Sequence, residues 1–241
     1  MYKLIKYILF IIFICITIPS VYAQNNEEID FQTWIDLTFK NYLSQKWILT
    51  GDLGIRGLVS TKDWNQFYIR PTIEYLISPA FNVRGALGLF NTRYEDLSNA
   101  LEFRIHQEAD LKWPDFSVIT FNHRLRFEER FFFYKELEND ISFRMRYLIG
   151  VETTNFRIIG KKRAFYLLAQ AEWFIPLGKS SAEVLVNNTR IYTGFGHRVS
   201  NKFRYEIYYI WQKSRIGSDD GLKTTVNVVR FRFYYTINPD K

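Results

Sequence analysis

The sequence predicts an all-β fold, an antiparallel transmembrane β-barrel of 10–12 strands with an Arg/Glu-rich lumen. Three observations lead there. Apolar and polar residues alternate with a period of two along nearly all of 29–237, which gives each strand one greasy and one polar face. The alternating segments run to roughly 11 to 14 residues, beyond the ~5–6 usual in soluble sheets and suited to strands that cross a bilayer at a tilt. The connections alternate between short and long, as when one rim of an outer-membrane barrel carries tight periplasmic turns and the other longer extracellular loops.

Composition narrows the classes. Of 241 residues, 47% are hydrophobic, 18% aromatic and 24% charged, with 12 Gly, 6 Pro and 1 Cys. That excludes a disordered chain, a collagen-like repeat and a disulfide scaffold. Beyond the N-terminus no run approaches the ~18 apolar residues of a spanning helix, so a membrane crossing has to be made with strands.

Residues 1–23 read as a signal peptide. Lys3 and Lys6 form its positive start, 7–18 its apolar core, and Ala23 a small residue placed for cleavage before Gln24. A retained anchor fits less well, because the apolar core is short and ends at Pro19. The single cysteine, Cys15, follows Ile14 inside that core, where a lipid-anchoring site wants a small residue. Cleavage removes two lysines from a chain of formal charge +7 and leaves 24–241 as one cysteine-free barrel domain, which neither disulfides nor thiolate chemistry can support.

In chain order the candidate strands are 30–40, 46–57, 66–77, 81–92, 100–111, 117–130, 140–153, 164–175, 184–197, 203–213 and 224–237. They number eleven, whereas a closed antiparallel single-chain barrel of the bacterial outer membrane has an even number. The expectation is therefore ten or twelve: either 31–40 does not span, or a further strand lies hidden in 154–162.

The polar faces carry arginine and glutamate at every second position, unlike the mixed Lys, Thr, Ser and Glu of a solvated sheet. By parity the lumen network contains Glu102, Arg104, His106, Glu108, Arg124, Arg126, Glu128, Arg144, Arg146, Glu152, Glu172, Arg190, Arg204, Glu206, Arg230 and Arg232. Stacked from strand to strand, guanidinium and carboxylate groups can pair bidentately. On the greasy faces, Trp47, Trp64, Tyr75, Trp173, Tyr209, Trp211 and Tyr235 stand near strand ends, as an interfacial girdle requires. His123 and Glu129 fall on the greasy side if parity is strict; a β-bulge or an uncharged histidine would reconcile them. A soluble β-sandwich is the rival fold, and strand length, the signal peptide and the Arg/Glu faces weigh against it.

Several runs carry a family resemblance: Trp34-Ile35-Asp36-Leu37, Glu102-Phe103-Arg104-Ile105-His106-Gln107, His123-Arg124-Leu125-Arg126-Phe127-Glu128-Glu129-Arg130, Phe143-Arg144-Met145-Arg146-Tyr147 and Asn188-Thr189-Arg190-Ile191-Tyr192. Together they resemble an uncharacterised family of exported Bacteroidota proteins, domain of unknown function 2490. The resemblance implies an outer-membrane barrel of this size and no settled activity.

For function, the leading expectation is a Gram-negative outer-membrane protein, either a porin-like narrow pore that prefers anions because arginine outnumbers acid on its ionic faces, or a plugged structural barrel. The alternative is a loop-mediated binding or assembly protein, for which Phe131-Phe132-Phe133-Tyr134 is the candidate patch, against a girdle role for the same residues. A lipid-modifying enzyme is a minority reading. No Gly-x-Ser-x-Gly, His-Glu-x-x-His, phosphate loop or Cys/His metal spacing occurs, so no catalytic residue and no cofactor or metal site is expected. His106 reads as part of the charge network and His197 as a rim residue. Partners are outer-membrane lipid and small anionic solutes, with a monomer favoured. Nucleic acid is not expected, because the arginines lie at period two within strands and form no exposed stripe.

Overall fold

Alternating side chains commit the backbone to a pleated strand, and a strand satisfies its N–H and C=O groups only against neighbours. In the computed structural model, which describes residues 29–59, 64–94, 99–153, 164–178, 185–216 and 223–238, that demand is met by closure. Eleven strands occur among the described residues: β1 (Ile29–Tyr42), β2 (Trp47–Leu58), β3 (Trp64–Leu76), β4 (Phe81–Tyr94), β5 (Ala100–Lys112), β6 (Ile119–Tyr134), β7 (Asp140–Thr153), β8 (Ala164–Leu177), β9 (Leu185–Arg198), β10 (Phe203–Ile216) and β11 (Lys223–Thr236). Each pairs with the next, and β1 pairs with β11, so the sheet has no edge. The proposed signal peptide lies outside the described residues.

Ten of the pairs are antiparallel and the closing pair is parallel, running from Ile29 opposite Thr225 to Lys40 opposite Thr236. This corrects the expected ten or twelve all-antiparallel strands. An odd up-and-down meander brings its last strand beside its first with both pointing the same way, and a parallel seam pairs nearly as well per residue as an antiparallel one. The segment 31–40 is a full wall strand. The strand sought in 154–162 lies outside the described residues, and β7 and β8 pair directly with each other.

Registers run with few interruptions, so parity set in one strand passes to the next. Where side chains are described, even-numbered ones point inward in all eleven strands, and odd-numbered ones form an outer face that includes Ile35, Ile55, Phe67, Leu89, Leu125 and Ile191, all exposed; the β9–β10 register shifts only beyond Lys213. Parity is strict in β6: its pairing with β5 and β7 contains no bulge, and His123 and Glu129 do face outward. His123 lies 2.7 Å from the Tyr147 hydroxyl beside Trp113 and Tyr147 rings, and Glu129 accepts a 3.4 Å hydrogen bond from Gln107.

The same parity corrects two further readings. Trp64 is even-numbered and lines the interior, while Trp47, Trp173, Tyr209 and Tyr235 are exposed on the outer face. The 131–134 run is split, with Phe133 exposed outside and Phe132 and Tyr134 inside. It is neither a single patch nor a single girdle segment.

Three tight turns on one rim share a device. In Leu43-Ser44-Gln45-Lys46-Trp47, Ile77-Ser78-Pro79-Ala80-Phe81 and Val199-Ser200-Asn201-Lys202-Phe203, the serine Oγ accepts hydrogen bonds from the N–H groups two and three residues on, at 3.1–3.3 Å. The N–H of the preceding apolar residue then closes on the aromatic residue's carbonyl at 3.0–3.1 Å. Serine satisfies the turn's free donors, and the aromatic residue restarts the outer face.

Two inward tyrosines lie flat across a neighbouring strand to reach an acid on the strand beyond. Tyr68, Gly54 and Asp36 are in register on β3, β2 and β1, and the Tyr68 hydroxyl donates to Asp36 at 2.5 Å. Tyr166, Gly196 and Glu206 repeat this on β8, β9 and β10, with a 2.7 Å bond. Both tyrosines are fully buried. A Cβ on Gly54 would sit 2.7 Å from the Tyr68 ring, and one on Gly196 would sit 2.2 Å from the Tyr166 ring, so each glycine is the groove its tyrosine occupies.

Replacing Gly196 by Val is expected to cost about 1–3 kcal/mol by overpacking, read as a lower urea midpoint for loss of the folded gel mobility. Adding Tyr166→Ala should recover part of that loss. A Gly196→Val chain as stable as the parent would refute the groove.

Candidate functional site

The interior is where the sequence places its chemistry, and cross-strand register decides what meets what. Arg126 stands directly opposite Arg146, and Arg104 opposite Arg130. Like charges facing each other are tolerable only if carboxylates lie on the diagonals. They do. Glu128, with no exposed surface, receives Arg144 at 2.6 Å, Arg146 at 2.9 Å, Arg126 at 3.3 Å and Arg104 at 3.4 Å. Glu102 receives Arg104 at 2.6 Å and Arg130 at 2.8 Å.

These contacts close a ring. From Glu128 it runs through Arg146 to Glu172 (2.7 Å), Arg124 (2.7 Å) and Glu108 (3.9 Å), and returns through Arg126 (2.8 Å) to Glu128. His106 is buried against it, its Nε2 2.9 Å from Glu108 without hydrogen-bond alignment. Arg84 extends it to Glu74 and Asp110 at 3.4 Å each. Alternating signs let every ring member see an opposite charge on both sides, which is the condition for holding ions away from water.

The remaining inward charges lie elsewhere. Arg230 donates to Asp36 across the parallel seam, and Arg70 meets Asp52 at 2.5 Å. Glu206 accepts from the hydroxyls of Tyr166, Tyr208 and Tyr234 at 2.5–2.7 Å, with Arg204 at 4.0 Å. Glu152 pairs with Arg198 at 3.2 Å, both partly exposed. Arg190 and Arg232 have no carboxylate within 4.0 Å among the described residues; Arg190 donates to Gln212, and Arg232 to Thr38 at 3.4 Å. The sixteen residues named from sequence thus divide among one closed ring with its neighbours, several separate pairs, and the two arginines Arg190 and Arg232 held by neutral side chains.

Aromatic faces back these arginines, both those paired with a carboxylate and those without one. Trp34 lies under Arg56, Arg190 and Arg230 at 4.4, 5.0 and 5.7 Å, and Phe174 under Arg146, Arg190 and Arg144 at 4.6, 4.7 and 5.1 Å. An apolar cluster, including Leu168, Ile210, Val226 and Val228, fills the side of the interior opposite the ring.

A cavity of about 280 Å³ remains. Its lining holds eleven arginines but two acids, Glu102 and Asp110, while Glu128, Glu172, Asp36 and Glu206 are turned into the wall. Arginine is thus the commonest residue lining the space. Among the described residues no group of three or more His, Cys, Asp or Glu could hold a metal ion.

Sequence reasoning missed Trp34, Tyr68, Tyr166, Tyr208, Gln66 and Gln212. The signal was available: all are even-numbered in strands whose even positions already carry the charges.

Glu128→Gln should strand four arginines around a neutral amide and cost about 3–5 kcal/mol, lowering the urea midpoint sharply. Glu152→Gln, on a partly exposed pair, should stay within about 1 kcal/mol. Equal effects at the two sites would contradict the ring's role.

A family model described as "Protein of unknown function (DUF2490)" matches residues 31–222, from within β1 to just before β11. No curated protein matches the chain.

Proposed function

We propose, for a chain that belongs to the DUF2490 family of proteins of unknown function, an outer-membrane barrel whose braced interior is a narrow, anion-preferring conduit. One observation carries the conduit reading: the interior space faces eleven arginines and only two acids. Rings of Arg and Lys favour anions by the same Coulomb attraction that makes acidic rings favour cations. Eleven strands fall between the eight that side chains can fill and the sixteen that leave an aqueous channel, in keeping with a space that is small but not absent.

Support for the membrane comes from the outer face. Most strands here have 13 or 14 residues, which at ~3.4 Å per residue and ~40° of tilt rise about 35 Å, ample for an apolar band of about 25 Å. A closed wall with greasy residues outside and ions inside inverts the arrangement that water favours. The outward His123 sits among Trp113, Tyr147 and Trp173, as suits an interfacial belt near the tight-turn rim.

A plugged structural barrel is the second reading, favoured by the closed Glu128 ring and the filled apolar side. Nothing in the family or the geometry indicates catalysis, and the split of 131–134 weighs against a loop-docking role.

Two measurements test the proposal. Cells expressing the full chain should carry it in the outer membrane with a gel mobility that changes on boiling; a soluble periplasmic product would refute the membrane reading. In planar bilayers under a salt gradient, the purified barrel should conduct with a reversal potential of the sign that marks anion preference. No current, or cation preference, would leave the plugged barrel.

A further inference from the structure

We infer that the interior contains a binding site for a small oxyanion of the phosphate class, where Arg56 and Arg190 converge on Trp34. It rests on reading the cavity as an anion-facing space, and it names the solute.

Eight of the eleven arginines lining the cavity have a carboxylate within 4.0 Å: Arg70 has Asp52, Arg230 has Asp36, and the others have Glu102, Glu108, Glu128 or Glu172. Of the other three, Arg232 donates to Thr38, and Arg56 and Arg190 are different. Where eight others have a carboxylate, each has a glutamine: Arg56 donates to Gln66 Oε1 at 3.2 Å, and Arg190 to Gln212 Oε1. Gln and Glu have nearly the same shape, so those positions hold a carboxylate's geometry without its charge. Arg190 is only 7% exposed, and the Arg56 Nε is buried without a hydrogen-bond partner. Asp36 lies near Arg56 and Glu172 near Arg190, but neither comes within 4.0 Å, and a guanidinium drawn away from water without a carboxylate in contact is costly. Here two of them meet on one indole, at 4.4 and 5.0 Å.

The missing charge is therefore one that a solute can supply. Both arginines, both glutamines, Trp34 and Gln32 line the cavity. The Gln32 carbonyl is occupied by the Trp34 indole N–H at 2.9 Å, which leaves its amide N–H groups as further donors. Two planar forks with amide donors beside them match an anion with several acceptor oxygens better than a spherical halide. Because the site lies within the wall, the ligand is a free anion and not a lipid headgroup.

The test uses the full-length, refolded barrel in lipid-free detergent, titrated calorimetrically with inorganic phosphate, sulfate and chloride. Phosphate should bind saturably and chloride much more weakly. Gln66→Glu combined with Gln212→Glu should weaken phosphate binding by about tenfold or more, the effect of a lost charge-assisted hydrogen bond or two, and at the same time raise the temperature at which the folded mobility is lost. A misfolded variant cannot give that second result. Arg56→Gln or Arg190→Gln should weaken binding, and Arg84→Gln, whose partners are Glu74, Glu108 and Asp110, should bind as the parent does. Absence of saturable phosphate binding by the folded parent, or unchanged binding by the double glutamate variant, would overturn the site. Phosphate binding without current would retain the site and refute the conduit; current without phosphate binding would do the reverse.

Discussion

A guanidinium enclosed by a protein wall must find a carboxylate, an aromatic face or an anion, and this requirement organises the whole interior. Glu128 meets it for four arginines at once, and its neighbours Glu102, Glu108 and Glu172 meet it for the rest of that side. The ring so formed ties together β5, β6, β7 and β8. Its ions brace the barrel from within because each member is held by opposite charges on two sides, a geometry that a one-residue slip in register would destroy by turning the acids outward.

The other side of the barrel solves the same problem with rings. Tyrosine hydroxyls satisfy Asp36 and Glu206, glycines on the intervening strands let those tyrosines lie flat, and Trp34 and Phe174 both receive Arg190, which has no carboxylate within 4.0 Å among the described residues. The parallel seam lies on this side. Its ladder alone would close the wall, but Arg230 reaching Asp36 and the buried Val226 and Val228 add an ion pair and apolar contact across it or beside it. The result is a divided interior, ionic on one flank and aromatic on the other, with the free space between them edged mainly by arginine.

Much of this was legible from period two alone. Alternation placed each of the named charges on the inner face, because parity survives every tight turn: the pairing across the Ser44, Ser78 and Ser200 turns keeps even residues opposite even ones. The strand count was legible too, and the error lay in the rule that closed barrels have even numbers, which holds only if every pair is antiparallel. Trp64 was misplaced because residue type was allowed to outrank parity, and the 131–134 run because four adjacent rings were read as one surface. Which charges pair could not be read, since that depends on register between strands far apart in sequence, as for Arg146 and Glu172. Nor could the Tyr68 and Tyr166 crossings, whose three partners lie on three different strands.

A membrane barrel requires an outer face that meets lipid and an inner face that does not. Since the chain's single cysteine is Cys15, cysteines introduced along β4 can carry a nitroxide and be read by electron paramagnetic resonance in lipid vesicles. Labels at Leu87 and Leu89 should collide strongly with lipid-dissolved oxygen and weakly with a water-soluble nickel chelate, while labels at Ala86 and Thr92 should be shielded from lipid. A two-residue alternation in oxygen access is the predicted result. Chelate access dominating at Leu87 and Leu89 would mean that the greasy face meets water or another protein, and the membrane barrel would have to be abandoned.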